Sequence, residues 1–376
     1  LFLARVEKGF PIYCPRCGEK EVRKKAKIIR KVRHCNIGEK VIYILIQAYK
    51  YFCCVCQKYF NQRYEGILPR RKYTEAFRRE IVNQHQKGIA QSNLGKWRNI
   101  GAATIERWYQ EYIKRKSNET DYLQCSKYIG IDEHFFSKKK GFVTTLCNLS
   151  SNKILDILPG KSLASLESHL KKLKDREKVE MVCMDLSDTY KSIVKKYFPK
   201  ARIVADRFHV IRLINHHFLK TWQIFDPEAK YSRGLLSLMR RHRWHLKEQQ
   251  KSNFYSYMDG IQGLKPIYDF KQNLTKLLLI KNQTQRQVKK LIPKLLKMIK
   301  ELQESNFEYL VRLGNTLNDW IEELVCMWRY SKNNSITEGF HRKMKLIQRL
   351  AYGFKNFDNY RLRVRALCCG KDFILK

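Results

Sequence analysis

Three short apolar runs, each closed by an aspartate, limit what this chain can become. They are "YIGID" at 128–132, "VEMVCMD" at 179–185 and "ARIVAD" at 201–206. Runs this short, bounded by polar stretches and rich in Val, Ile and Met, predict buried strands. "GFVTTLCNL" and "KILDILP" add two more strands after the first run. "SLASLESHLKKL", with Leu163, Leu166, Leu170 and Leu173 along one face, predicts a helix before the second run, and "TYKSIVKKYF" predicts another after it. The order from 128 to 206 is therefore β-β-β-α-β-α-β. Three consecutive strands predict an antiparallel meander, and the strand-helix-strand alternation predicts parallel pairing. Right-handed crossovers then put strands 128–132 and 179–185 side by side, so that Asp132 and Asp185 project from neighbouring strand ends. Asp206 ends the next strand and His209 follows three places later; from the residues alone this pair can be catalytic, structural or incidental.

The partner class comes from charge. With 76 Lys and Arg against 35 Asp and Glu, the formal net charge is +41, spread along the chain and interleaved with 21 Tyr, 19 Phe and 6 Trp. Such a surface repels itself unless it faces a polyanion, and a long basic track with aromatics points to nucleic acid. At 376 residues and 44% apolar composition, the chain is a globular protein of two or three domains. No run reaches the ~18 apolar residues of a membrane helix, and no signal peptide opens the chain. The expected setting is intracellular. The chain begins at Leu1 without Met, which leaves room for residues ahead of it.

Six of the 12 cysteines fall within the first 56 residues. Cys14-x-x-Cys17 and Cys53-x-x-Cys56 form two knuckles, flanked by Pro15 and Gly18, whose four thiolates suit tetrahedral Zn²⁺. Cys54 is a bystander, and His34 or Cys35 is an alternative source of one ligand. Residues 1–66 are accordingly a zinc-binding domain. Residues 67–120 predict a helix-turn-helix, with Phe77 and Ile81 on one apolar face, "RNIG" as the turn, and "AATIERWYQEYI" as the third helix. Ile105, Trp108 and Tyr112 pack, leaving Thr104, Arg107 and Gln110 for a DNA groove. A polar connector, "SNETDYLQCS" at 117–126, separates this part from the strands.

Phosphodiester chemistry needs polarised oxygens and a deprotonated nucleophile, which two Mg²⁺ ions held by a few carboxylates provide. Asp132 and Asp185 supply part of such a cage. "NNSITEGFHRKMKLIQRLAYGF" offers Glu338 as a third acid, opening a helix on which His341, Arg342 and Lys345 share its face. The plainer reading is that such acids only cap helices or meet solvent.

In order, "CPRCG…CCVC", "GIDEHFFSKKKGF", "LPGKSLASLESHL", "MDLSDTYKSIVKKYFP", "ADRFHVIRL" and "NNSITEGFHRKMKLIQRLAYGFKNFDNYRLR" resemble the bacterial insertion-sequence DDE transposases of the ISL3 family. The likeness runs nearly end to end; one departure is Cys54, where the second knuckle often has Pro. The resemblance implies a multidomain α+β protein. Its parts are a zinc-ribbon-like domain, a helix-turn-helix, and an RNase H-like α/β catalytic core with a helical insertion. The core's first part would span 121–209, the insertion 210–330, and the C-terminal helical part 331–376. It further implies an acid triad of Asp132, Asp185 and Glu338 with Mg²⁺ or Mn²⁺, and a supporting role for Asp206 and His209 as a D-x-x-H element. Arg342 and Lys345 become candidate phosphate contacts. The implied partners are double-stranded DNA, as terminal inverted repeats and as target, and a second copy in a homodimer or higher assembly. The implied reaction is cleavage followed by strand transfer. The alternatives are a transposase-derived DNA-binding protein without activity and a structural RNA-binding protein.

Overall fold

A computed structural model describes residues 2–4, 12–118, 124–330, 332 and 334–368. The middle of the connector read at 117–126 and the last eight residues of the C-terminal segment lie outside the described residues. Leu1–Lys116 with Leu350–Gly353 forms one compact unit, and Ser117–Arg349 with Phe354–Lys376 forms another.

In the first unit β1 (Phe2–Ala4), β2 (Val22–Ile37), β3 (Lys40–Cys53) and β4 (Tyr59–Asn61) make a four-stranded sheet. β2 and β3 are a long antiparallel hairpin, with Ile37 opposite Lys40 and Gly38 at φ +60° in the two-residue turn. β2 lies at the edge of the sheet. Its sequence is so rich in Lys and Arg that no clean alternation announces a strand of 16 residues. Three helices follow: α1 (Glu75–Gln86), α2 (Gln91–Arg98) and α3 (Ala102–Asn118). The Thr74 hydroxyl caps α1 by accepting from the Phe77 N–H at 3.2 Å, and Asn99 ends α2 in the left-handed region at φ +48°. Phe77, Ile81, Ile105 and Trp108 are buried, as the apolar spacing predicts, and Leu94 of α2 is buried too. Tyr112 is only half-buried, however, and Tyr109 and Ile113 fill the core on that side.

The second unit is built on β5 (Tyr128–Ser137), β6 (Gly141–Asn148) and β7 (Lys153–Pro159), then α4 (Leu163–Leu170), β8 (Met181–Met184), α5 (Asp188–Tyr197) and β9 (Arg202–Ala205). The sheet order is β7-β6-β5-β8-β9, with β7-β6-β5 antiparallel and β5-β8-β9 parallel. This is the meander joined to crossovers that the element order predicts. One expectation is corrected: Asp132 lies inside β5, not at its end, because the hairpin with β6 carries the strand on to Ser137.

A helical block then begins at α6 (Arg207–Phe225), three residues ahead of the expected boundary. It continues through α7 (Arg233–Arg240), α8 (Glu248–Asp259), α9 (Leu264–Leu278), α10 (Gln285–Gln303), α11 (Glu308–Asp319) and α12 (Ile321–Arg329). Part of it, around Trp222, Phe254 and Tyr268, has a core of its own. The remainder, including Leu274, Leu295, Leu313 and Trp328, joins the core under the sheet. A buried Arg207 ties the start of α6 to the block's far end, donating to the carbonyls of Ile280 at 3.2 Å, Tyr330 at 3.5 Å and Met327. Lys191 on α5 also meets the buried Glu323 of α12 at 2.8 Å. The chain returns to the sheet through α13 (Ser335–Leu350) and α14 (Phe357–Cys368), where Arg361 holds the buried Asp156 of β7 through two hydrogen bonds. Among the described residues, no helix is long and apolar enough to cross a membrane.

Candidate active site

The four knuckle cysteines converge in the first unit, their sulfurs all within 4.8 Å of one another. Cys14 Sγ lies 3.5 Å from Cys56 Sγ, and Cys17 Sγ lies 3.5 Å from Cys53 Sγ. Zn–S bonds of about 2.3 Å place tetrahedral sulfurs about 3.8 Å apart, so the spacing suits Zn²⁺. Backbone N–H groups of Cys17 and Arg16 lower the Cys14 thiol to about 6, whereas burial and the neighbouring sulfurs push Cys56 up to about 12. Four crowded thiols cannot all ionise without a cation between them, which is the chemistry of a structural zinc site. His34 lies outside the group of four sulfurs, and its Nδ1 bonds the Thr74 hydroxyl at 2.9 Å. Neither Cys35 nor Cys54 belongs to the group.

Strand register builds the second cluster. β5 and β8 pair at Gly130–Cys183, so two steps further Asp132 stands level with Asp185. β8 and β9 pair at Met184–Ala205, so one further step brings Asp206 level as well. Asp132, Asp185 and His209 each offer a ligand atom within 4.8 Å of the others. His209 Nδ1 is 2.8 Å from Asp206 Oδ2 and 2.6 Å from Asp185 Oδ1. One ring nitrogen carries at most one proton. Its contact with Asp206 has hydrogen-bond geometry, and the shorter contact with the buried Asp185 oxygen is an ion pair to the same nitrogen. Burial, together with the nearby Asp185 charge, pushes Asp132 up to about 7. Burial opposes a charge on His209, but the carboxylates of Asp185 and Asp206 overcome it and raise the imidazole to about 9. Two acids that repel each other, drawn together beside an imidazole, form a donor set that fits a divalent cation.

Asn334 fastens the returning helix here. Its buried amide donates to the Ile131 carbonyl at 2.9 Å and to the Cys183 carbonyl at 3.3 Å, spanning β5 and β8 just before the two aspartates. Its own carbonyl accepts from Thr337 and Glu338, opening α13. A Cβ on Gly130 would come within 2.2 Å of Asn334 Oδ1, so the strand must carry glycine there. The signals for this clamp were an Asn at a helix start and a Gly inside a strand, both present but ambiguous in the sequence.

Glu338 itself is half-exposed and pairs with Arg342 at 3.0 Å; it is not part of the close group of Asp132, Asp185 and His209. One turn further on, His341 faces the site, with Nε2 3.2 Å from the Thr145 hydroxyl and Nδ1 3.8 Å from Asp132 Oδ2. Burial, with His134 and Lys345 nearby, lowers His341 to about 3, so it stands there as a neutral ring. Arg342 and Lys345 are exposed. On α3, Arg107 is exposed and bonds the Thr104 hydroxyl at 3.2 Å, while Gln110 bonds Glu106 at 2.7 Å.

A family model for the zinc finger of transposases IS204/IS1001/IS1096/IS1165 matches residues 11–56, the stretch holding all four sulfurs. The ISL3 transposase family model matches residues 129–364, well over half of the 376-residue chain. The chain belongs to the ISL3 family of insertion-sequence transposases. It is also similar to the transposase for insertion sequence element IS1001 of Bordetella parapertussis, at 20% identity over 364 residues covering 94% of this chain and 88% of that one. The ISL3 match runs from β5 to α14 and so takes in the three level aspartates, the Asn334 clamp and Glu338.

Proposed function

We propose that the chain is a DDE-type transposase that binds its element's terminal inverted repeats, cleaves the ends and joins them to target DNA. The observation that carries this reading is the pair Asp132 and Asp185, level on adjacent strands and gathered with His209 so that their ligand atoms lie within 4.8 Å of one another. The five-stranded order fits an RNase H-like core, and the helical block from α6 to α12 fits its insertion. Asp132 and Asp185 would hold Mg²⁺ or Mn²⁺, which polarises phosphate oxygens and lowers the pKa of water. His209, braced by Asp206, offsets the acids' charge and fixes the Asp185 carboxylate. Glu338 is the third acid, carried by a helix whose first turn Asn334 pins across the two strands. Arg342 and Lys345, exposed on that helix, meet DNA phosphates. In the first unit α1–α3 act as a helix-turn-helix presenting Thr104, Arg107 and Gln110 to bases, and zinc on the four cysteines holds the adjoining sheet. Two ends must be joined in one event, so the working form is a homodimer or a higher assembly on DNA.

The test is cleavage and strand transfer on element-end duplexes with Mg²⁺ or Mn²⁺. Asp132→Ala and Asp185→Ala should each lower the rate by about a thousandfold or more. Full activity in either variant rejects the site. End-specific binding by the parent chain with no metal-dependent chemistry would instead indicate a transposase-derived binding protein.

A further inference from the structure

The first unit carries a second basic feature that the helices do not account for. Two cavities, of about 640 and 310 Å³, open beside the edge strand β2 and share Arg30 and Arg70 in their walls. The larger adds Lys31, Arg33, Arg71 and Lys72, and the smaller adds Lys50 and Arg63; among the described residues neither wall contains an acidic one. Thr104, Arg107 and Gln110 line neither cavity.

The groove is built, not merely basic. The segment after Pro69 runs alongside β2, with the Arg33 N–H donating to the Lys72 carbonyl at 2.8 Å and the Thr74 N–H donating to the Arg33 carbonyl at 2.9 Å. Arg30 spans the seam and donates to the Arg71 carbonyl at 3.0 Å. Aromatic rings fix several of the cations: Lys31 lies 4.3 Å from the Tyr43 ring and Lys50 4.8 Å from Tyr59. Arg33 is buried against Phe77 at 5.0 Å, with its Nε unpartnered. Arg71 is the cation already shared, lying 3.5 Å from Glu111. Burying a guanidinium and concentrating like charges along one seam both cost stability unless an anion is expected there.

We propose that this groove seats the sugar-phosphate backbone of duplex DNA, giving the first unit a phosphate clamp separate from the outward face of α3. The inference rests on the transposase reading above and adds a surface to it. Backbone contacts of this kind set register and affinity without reading sequence.

The test uses the full, zinc-loaded chain and labelled duplexes, one carrying an element end and one of random sequence, titrated by fluorescence anisotropy over a range of salt. Arg30→Gln with Arg70→Gln should weaken both duplexes by about tenfold or more and flatten the salt dependence by about two in slope. Arg63→Gln with Lys72→Gln, at exposed side chains, should do the same to a smaller degree and guards against misfolding in the first pair. Zinc content and melting temperature check each variant. The proposal is overturned if both pairs bind within about twofold of the parent with an unchanged salt slope. It is also overturned if the loss is confined to the element end, or to an RNA competitor. A parent chain that binds no duplex at all would sink the transposase reading as well, which separates the two failures.

Discussion

The four-cysteine cluster and the acidic cluster are both candidate metal centres, but the chain assembles them in opposite ways. The sulfurs come from two tight turns in a small sheet, at the end of a hairpin whose edge strand β2 has only Arg33 and Val32 buried. The carboxylates sit within β5 and just past the ends of β8 and β9, at the edge of an extensive buried core that includes Ile129, Ile131, Val182, Cys183 and Val204. In the first case a metal would tie two turns of a small sheet together, and in the second an extensive core exists first and the register of its strands makes the metal site. Metal is therefore expected to be a structural element in one unit and a functional one in the other.

Removing zinc should test that contrast most forcefully. Structural zinc contributes on the order of 10–16 kcal/mol to small sites of this type. Chelation, or Cys17→Ser, should therefore release the 12–61 sheet to rapid proteolysis and hydrogen exchange, while amides of β5, β8 and β9 keep their protection. Chelation that exposes both regions equally, or neither, would break the distinction. Measured zinc well below one per chain would remove its basis.

The clamp under the acidic site gives a finer test. Gly130→Ala drives a methyl group into Asn334, and overpacking of this kind costs about 1–3 kcal/mol. If Asn334 positions α13, then Gly130→Ala and Asn334→Ala should lower cleavage by about a hundredfold, since displacements of an ångström have that effect. Both should still show a metal-dependent rise in melting temperature, because Asp132 and Asp185 are untouched. Loss of the metal response along with the activity would make the clamp part of the general fold.

What could be foreseen divides along the same line. Cys14, Cys17, Cys53 and Cys56 are legible because ligand spacing within a turn is a local property of sequence. The order of the five strands is legible too, since element order and crossover handedness limit topology. The level alignment of Asp132, Asp185 and Asp206 needs the pairing register, which local patterns do not encode. Asp132 looked like a strand end because the polar residues after it, Glu133 and His134, resemble a turn, whereas they continue into a hairpin. The resemblance gives Asp206 and His209 a supporting role without saying what each of them touches. The tie to the helical block is made by Arg207 between them, while His209 bridges the acids; a buried arginine donating to three carbonyls has no sequence signature.

The two centres should also differ in how they exchange protons for metal, the smallest of these effects and the one that best resolves the acidic site. Asp132 has a folded-state value above the ordinary carboxylate range, at about 7. In the metal-free chain its neutral form therefore contributes stability that is complete below its usual value and is lost as pH rises through about 7. His209, raised to about 9, contributes in the same sense, with its share lost as pH rises through about 9. A dication must displace whichever of these protons lies on its ligands. If Asp132 alone gives one up, the apparent Mg²⁺ or Mn²⁺ affinity should climb about tenfold per pH unit up to about 7 and then level off. A climb that continues to about 9 brings His209 into the coordination. An affinity that is flat across this whole range would take Asp132 out of the metal centre.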